Sequence, residues 1–367
     1  MRDEQKDTKR IAWIDCTKFV AILGVVVDHC NGYLYINPYI AYASYYSVSL
    51  FVLLAGISVW ISFARGKEIS FSRQLAKVGK LLTAYAVASF VVMCATQRRF
   101  DLVTYLNFLV NFNIQPPYYY LVFFMQLLIV APIMVKWCAF VNTKKYKWLM
   151  QFGTMAGLGW LAYVCIHYSF ILPVHGGGKF GGGGTYIILY YAGMLLASNG
   201  TIIKGVRSRL VVMVFSLSLS AVWVVCMTEG RLPFDRWMSP YWGDGLNPPS
   251  VNLMVYSLFI LFFCYLLFSL LSECKNDIVW KFMQVFGFLG RNTLYIWLYH
   301  LLVKGIIAEK FPSLTDGGVW VRMLAFGMIV TLPVIMKQLA DIFLKFYEVH
   351  INQQKSVEQQ VEQGGRI

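Results

Sequence analysis

Apolar residues run along this chain in long blocks, separated by short polar connections. A helix needs about 20 mostly apolar residues to cross a bilayer. On that criterion the pattern predicts ten spanning helices, at residues 11–29, 40–62, 78–96, 118–138, 148–168, 184–198, 210–228, 251–271, 286–307 and 319–343. The sixth is short, which suggests a tilted or partly re-entrant piece. Residues 102–112 are apolar but too short to span and read as an interfacial or re-entrant segment before Pro116 and Pro117. The fold class expected is therefore an all-α polytopic membrane protein. Residues 1–345 form one integral-membrane unit, and 346–367 a short, polar, Gln-rich tail. No second domain, internal repeat or fused esterase-like domain is expected.

Composition strengthens this picture. The 367 residues are 58% hydrophobic and 14% charged, against about 25% charged for ordinary soluble domains. The net charge of +14 raises the question of nucleic acid, but the basic residues lie in short loops and form no long basic face for phosphates. Their placement instead sets orientation. Lysines and arginines gather at 2–10, 65–80, 136–147, 204–209, 275–281 and in the tail, while the alternate connections hold only Arg98, Arg99, Lys179, Arg231, Arg236 and Lys310. Positive loops stay in the cytoplasm, so both termini are expected there. The N-terminus reads as a retained helix rather than a cleaved signal, because Asp15 and Lys18 interrupt the run and no small-x-small site follows. None of the eight cysteines forms a C-x-x-C pair. They read as small apolar packers rather than a disulfide framework or metal site.

The first helix departs from a plain anchor. Lys18 and His29 are eleven residues apart, three full turns and about 16 Å of rise, and so share one face. Asp15 falls within about 60° of that face. Charge inside a bilayer is costly unless it is paired or faces a cavity, and two readings accommodate it. In one, Asp15 and Lys18 form a structural ion pair and His29 is an interfacial histidine. In the other, a cytoplasmic cofactor with a long arm binds at the lysine end and presents its tip to the histidine. Coenzyme A has that shape, and a neutral histidine can take the proton of an attacking hydroxyl. Asp28 points about 100° away from His29, so a direct pair is not expected.

At these residues the sequence resembles the acyltransferase-3 family of integral-membrane acyltransferases. That family's first helix carries a basic residue, usually arginine, then ten residues, then histidine, with an aspartate commonly just upstream. Ile14 to Lys18 through His29 fits this, with lysine as the less common basic residue and Asp28 where an aromatic or apolar residue is usual. Phe51 to Gly56 resembles the second-helix motif, with Ala55 in place of its serine. Arg73, Lys77 and Lys80 resemble the basic cluster that opens the third helix. Pro117 to Leu121 with Pro132, Tyr190 to Gly193, and Gly290 to His300 resemble three further motifs in the family's order.

The resemblance implies acyl transfer from acyl-CoA, usually acetyl-CoA, to an extracytoplasmic or membrane-associated acceptor, with no metal. It makes His29 the catalytic histidine, Lys18 its basic partner and Asp15 a member of the same set. Lys18, Arg73, Lys77 and Lys80 would attract the nucleotide end of the cofactor. Tyr119 and Tyr120 would line the acceptor side, as would His300.

Two outer segments stand out. Residues 175–184 hold seven glycines around Lys179. A phosphate loop needs Ser or Thr after its lysine, and Phe180 follows here, so a flexible outer loop is expected. Residues 231–245 mix Trp237, Tyr241 and Trp242 with Asp235 and Asp244. Trp237 and Trp242 would suit a glycan or glycolipid acceptor, although a headgroup-level aromatic loop has the same composition. The function expected is a membrane O-acyltransferase of the bacterial inner membrane. A second copy or a partner chain remains open as a neighbour. The alternative is a transporter or flippase of a glycan or lipid-linked sugar. It would need charges deep in several helices, whereas Lys304 and Lys337 lie near helix ends.

Overall fold

The computed structural model describes residues 11–97, 100–168, 183–200, 205–232 and 247–364. Helices dominate; among the described residues the only extended pairing is an isolated bridge between Asn31 and Tyr35. The chain divides into two compact units, Met1–Arg291 and Asn292–Ile367.

The first unit holds α1 (Ala12–Cys30), α2 (Pro38–Ser44), α3 (Ser47–Ala64), α4 (Phe71–Gln97), α5 (Leu102–Asn111), α6 (Tyr119–Asn142), α7 (Lys147–Tyr168), α8 (Tyr186–Asn199), α9 (Val206–Thr228), α10 (Val251–Glu273) and α11 (Asp277–Arg291). Local chemistry sets several starts. Asn37 caps α2 by accepting the Ile40 N–H at 3.1 Å, with Pro38 at the first helical position, where a missing N–H costs nothing. A single 3-10 turn, Pro116–Tyr118, leads into α6 for the same reason. Asp101 caps α5, accepting the Thr104 N–H at 2.9 Å.

Among the described residues, seven helices are long and apolar enough to cross a membrane by length and composition: Pro38–Ala64, Phe71–Thr96, Pro116–Asn142, Lys147–His167, Val206–Thr228, Val251–Glu273 and Val319–Tyr347. These correspond to seven of the ten expected segments. The other three fall short for different reasons. Every 18-residue window of α1 contains Asp15, Lys18 and Asp28. The sixth segment forms only the 14 residues of α8. The ninth is not one helix, because the chain breaks between Arg291 and Asn292, whose φ of −103° and ψ of 14° interrupt the helix. Large apolar side chains lie exposed along the spanning helices, including Leu149, Trp160, Val211, Val214 and Phe215. Such faces would be anomalous in water and are what hydrocarbon requires.

Inside the first unit α1 packs on α3, α10 and α11, and α3 packs most extensively on α8. Two glycines permit the last contact. A Cβ on Gly56 would collide with the carbonyl oxygen of Tyr190, and one on Gly193 with that of Leu53. Around this crossing Leu50, Leu53, Leu54, Phe123, Tyr186 and Tyr190 are fully buried. Tyr256 ties α10 to the top of α2, donating to the Ala43 carbonyl at 2.9 Å. The short α5 is pinned to α4 by two reciprocal bonds, Tyr85 to the Phe108 carbonyl at 2.7 Å and Tyr105 to the Ala86 carbonyl at 2.9 Å.

The second unit holds α12 (Thr293–Lys310), the single turn α13 (Ser313–Asp316) and α14 (Val319–Gly364). α12 and α14 pack together, with Ala325, Ile329, Val330 and Val334 buried. α14 continues through the polar tail to Gly364.

Candidate active site

α1 has two chemically different ends. Near its start, Asp15 is buried, and its Oδ1 lies 3.3 Å from Lys18 Nζ. The side chains are 11% and 32% exposed, so the lysine is the more accessible partner. Spacing alone brings these two together, because residues three apart are neighbours on a helix. The next helix to meet this end is α11. Cys16 Sγ lies 3.6 Å from the Met283 carbonyl oxygen, and the Phe19 and Phe286 rings meet edge to face at 4.9 Å.

The other end carries Asp28 and His29, both half-buried. The chain turns sharply after Cys30, and Tyr35 donates to the Val27 carbonyl at 2.9 Å, folding the loop back over the helix end. Burial, and next the Asp28 carboxylate, push the Tyr35 hydroxyl up to about 12. Asp28 is also within electrostatic reach of Tyr45 and Tyr119. Tyr119 and Tyr186 share a hydrogen bond, and Tyr186 donates to Asn247 Oδ1. The Phe123 ring stacks on Tyr186 at 3.9 Å, nearly parallel, and Tyr120 meets Phe123 at 5.0 Å. The histidine end of α1 therefore adjoins a tyrosine-rich group drawn from four other parts of the chain.

The expected site residues fall into distinct groups. Asp15 and Lys18 are in contact. Lys18 and His29 stand at opposite ends of α1. Tyr119 lies in the group around Asp28, and Tyr120 packs beside it on Phe124 and Phe51. Arg73, Lys77 and Lys80 are exposed in the first turns of α4, which packs on α5 and α6. Arg73 pairs with Glu68 at 3.5 Å and donates to its carbonyl, and Lys77 reaches Gln74 Oε1 at 3.2 Å. His300, in the second unit, is buried. Its Nδ1 lies 2.8 Å from the Trp297 carbonyl and 3.1 Å from that of Ile296. A carbonyl only accepts, so Nδ1 carries a hydrogen and donates. Trp237 and Trp242 lie outside the described residues, as do residues 175–182 of the glycine-rich run. Tyr186 and Asn247 were not legible as site residues, since no motif links positions so far apart. The one available signal was the density of tyrosines at helix starts.

The described helices make a polytopic α-helical membrane protein, with an ion pair near the start of α1 and, at its other end, Asp28 beside His29 within electrostatic reach of three tyrosines. The acyltransferase-3 family profile, described as an acyltransferase domain, matches residues 11–337. The chain belongs to that family and is an integral-membrane acyltransferase. No curated protein and no solved structure matched.

Proposed function

We propose that this protein transfers an acyl group, acetyl in the first instance, from cytoplasmic acyl-CoA to a hydroxyl of an extracytoplasmic or membrane-associated glycan. The observation that carries this reading is the polarity of α1, with the Asp15–Lys18 pair near its start and His29 eleven residues on. Ten membrane crossings with both termini in the cytoplasm, in a bacterial inner membrane, put the lysine end inside and the histidine end outside. Lys18, Arg73, Lys77 and Lys80 attract the anionic nucleotide. The flexible arm then brings the thioester about 16 Å along α1.

His29 is the general base. A ring nitrogen takes the proton of the acceptor hydroxyl as its oxygen attacks the thioester carbonyl carbon. The C–O bond forms and the C–S bond breaks. The departing thiolate recovers the proton from the imidazolium, leaving an ester and free CoA. A relay through acyl-histidine balances equally well and needs a second attack by the acceptor. Tyr119 and Tyr120 line the acceptor side, with Trp237, Trp242 and His300 as further candidates. Family membership favours this chemistry over transport of a glycan or lipid-linked sugar.

The test is thioester cleavage of labelled acetyl-CoA by the purified protein. Loss of a general base costs roughly 10²- to 10⁴-fold. His29→Ala is therefore expected to lose turnover by about that factor while still binding CoA. Lys18→Ala is expected to weaken binding. Because it also leaves Asp15 without its partner, the double variant Asp15→Asn/Lys18→Met is the control for folding. Full turnover by His29→Ala would overturn the assignment.

A further inference from the structure

The attractive charge at the lysine end of α1 is smaller than the sequence suggests. Asp15 offsets Lys18 at 3.3 Å, and on α4, which packs on α5 and α6, Arg73 is offset by Glu68 at 3.5 Å. A coenzyme A nucleotide carries several phosphate charges, and a lysine presents only a point charge to them. The break that ends α11 places one more cation here. Gly290 lies so close to α1 that a Cβ on it would collide with the backbone carbonyl of Asp15. That contact fixes the backbone of the next residue, Arg291, beside the Asp15–Lys18 pair. Two more contacts hold α11 in register, Cys16 against Met283 and Phe19 against Phe286.

Arg291 is exposed, and its guanidinium turns back along its own helix, with Nη1 3.4 Å from the position a Cβ on Gly287 would take. It is within electrostatic reach of Cys16. No carboxylate pairs with it among the described residues. A guanidinium offers five donors in a planar fork that matches phosphate oxygens two at a time. A basic residue in the last turn also suits the helix dipole, but that role needs only charge and no fork.

We propose that Arg291 is a phosphate-binding residue of the donor site, gripping the nucleotide phosphates of acyl-CoA at the lysine end of α1. The proposal rests on the acyl-CoA reading above and supplies the fork that Lys18 lacks. The experiment compares the full-length protein with Arg291→Ala and Arg291→Lys in detergent. Binding of CoA and 3′-dephospho-CoA is measured by calorimetry, and cleavage of acetyl-pantetheine, which has no phosphates, is followed in parallel.

Charged hydrogen bonds of this kind are worth about 10- to 100-fold in affinity. Arg291→Ala is expected to weaken CoA binding by about that factor, and Arg291→Lys to recover part of it. Acetyl-pantetheine cleavage should be unchanged in both. A smaller loss for 3′-dephospho-CoA than for CoA would assign the contact to the 3′-phosphate, and an equal loss to the diphosphate. Unchanged CoA binding by Arg291→Ala would overturn the proposal. So would an equal loss of acetyl-pantetheine cleavage, which would mark Arg291 as structural. A wild type that binds no CoA and cleaves neither thioester would refute the acyl-CoA reading itself, and this inference with it.

Discussion

Asp101 shows how one side chain links sequence, local structure and pH. It accepts the Thr104 N–H at 2.9 Å and closes the first turn of α5. Hydrogen bonds from Thr104, side chain first and then backbone, hold its carboxyl below the usual carboxylate range. The folded value is depressed, so the contribution to stability is present above the unfolded value, near 4 for an aspartate. It is lost as pH falls through the lower folded value. The protection factors of the α5 amides, taken relative to the intrinsic exchange rate at each pH, should therefore fall on acidification in the wild type. In Asp101→Asn, which caps without titrating, that pH dependence should be lost. Equal pH dependence in both would show that the carboxylate is not what holds the turn. Asp15 and Lys18 are the contrasting case, a pair legible from spacing alone, because residues three apart on a helix must meet.

At the scale of elements, the crossing of α3 and α8 depends on two glycines that face each other's helices. Each glycine lets the opposing backbone carbonyl sit where a methyl would be. Gly56→Ala and Gly193→Ala are each expected to force the helices apart and cost about 1–3 kcal/mol, the usual penalty of overpacking. A lowered melting temperature in detergent would register it. Gly153→Ala, in α7, meets nothing within 4 Å and should leave the melting temperature nearly unchanged. Parity between Gly56→Ala and Gly153→Ala would mean that the crossing is looser than described. The aromatic-x-x-glycine pattern at Tyr190 to Gly193 marks this place in the sequence, but not which helix it meets. The ninth expected segment shows the opposite limit. Its apolar residues read as continuous, while the polar Arg291–Asn292–Thr293 step inside them ends one helix and starts another.

At the scale of the molecule, the proposed topology makes a prediction about Cys274, the exposed cysteine in the connection between α10 and α11. That connection belongs to the positively charged set with Lys275 and Lys281, so it should face the cytoplasm. A variant retaining Cys274 as its only cysteine should react with a membrane-impermeant maleimide in inverted vesicles and not in intact cells. Labelling from outside would reverse the orientation and put the lysine end of α1 on the wrong side for a cytoplasmic donor. The seven helices that meet the membrane criterion do so because their windows hold few charges. α1 fails it because Asp15, Lys18 and Asp28 all fall within its windows, the first two being residues of the proposed chemistry, and such a criterion undercounts a helix with a functional polar face.

The pattern of residues alone establishes the class of fold and the register of α1. Long apolar blocks, few charges and alternating basic loops leave a polytopic helical protein as the physical solution, since every backbone polar group in hydrocarbon must be satisfied within a helix. Helical periodicity puts Asp15, Lys18 and His29 on one face with no further information. Contacts between residues distant in the chain were decided by tertiary structure alone. The packing of Gly290 on Asp15 brings Arg291 to the lysine end, and Tyr35 from the loop after α1, Tyr45 from the end of α2 and Tyr119 from the start of α6 gather near Asp28. Apolar packing in a membrane is steered by shape and close approach rather than by pattern. A hydrophobic sequence therefore states that its helices pack, and only their surfaces state which ones meet.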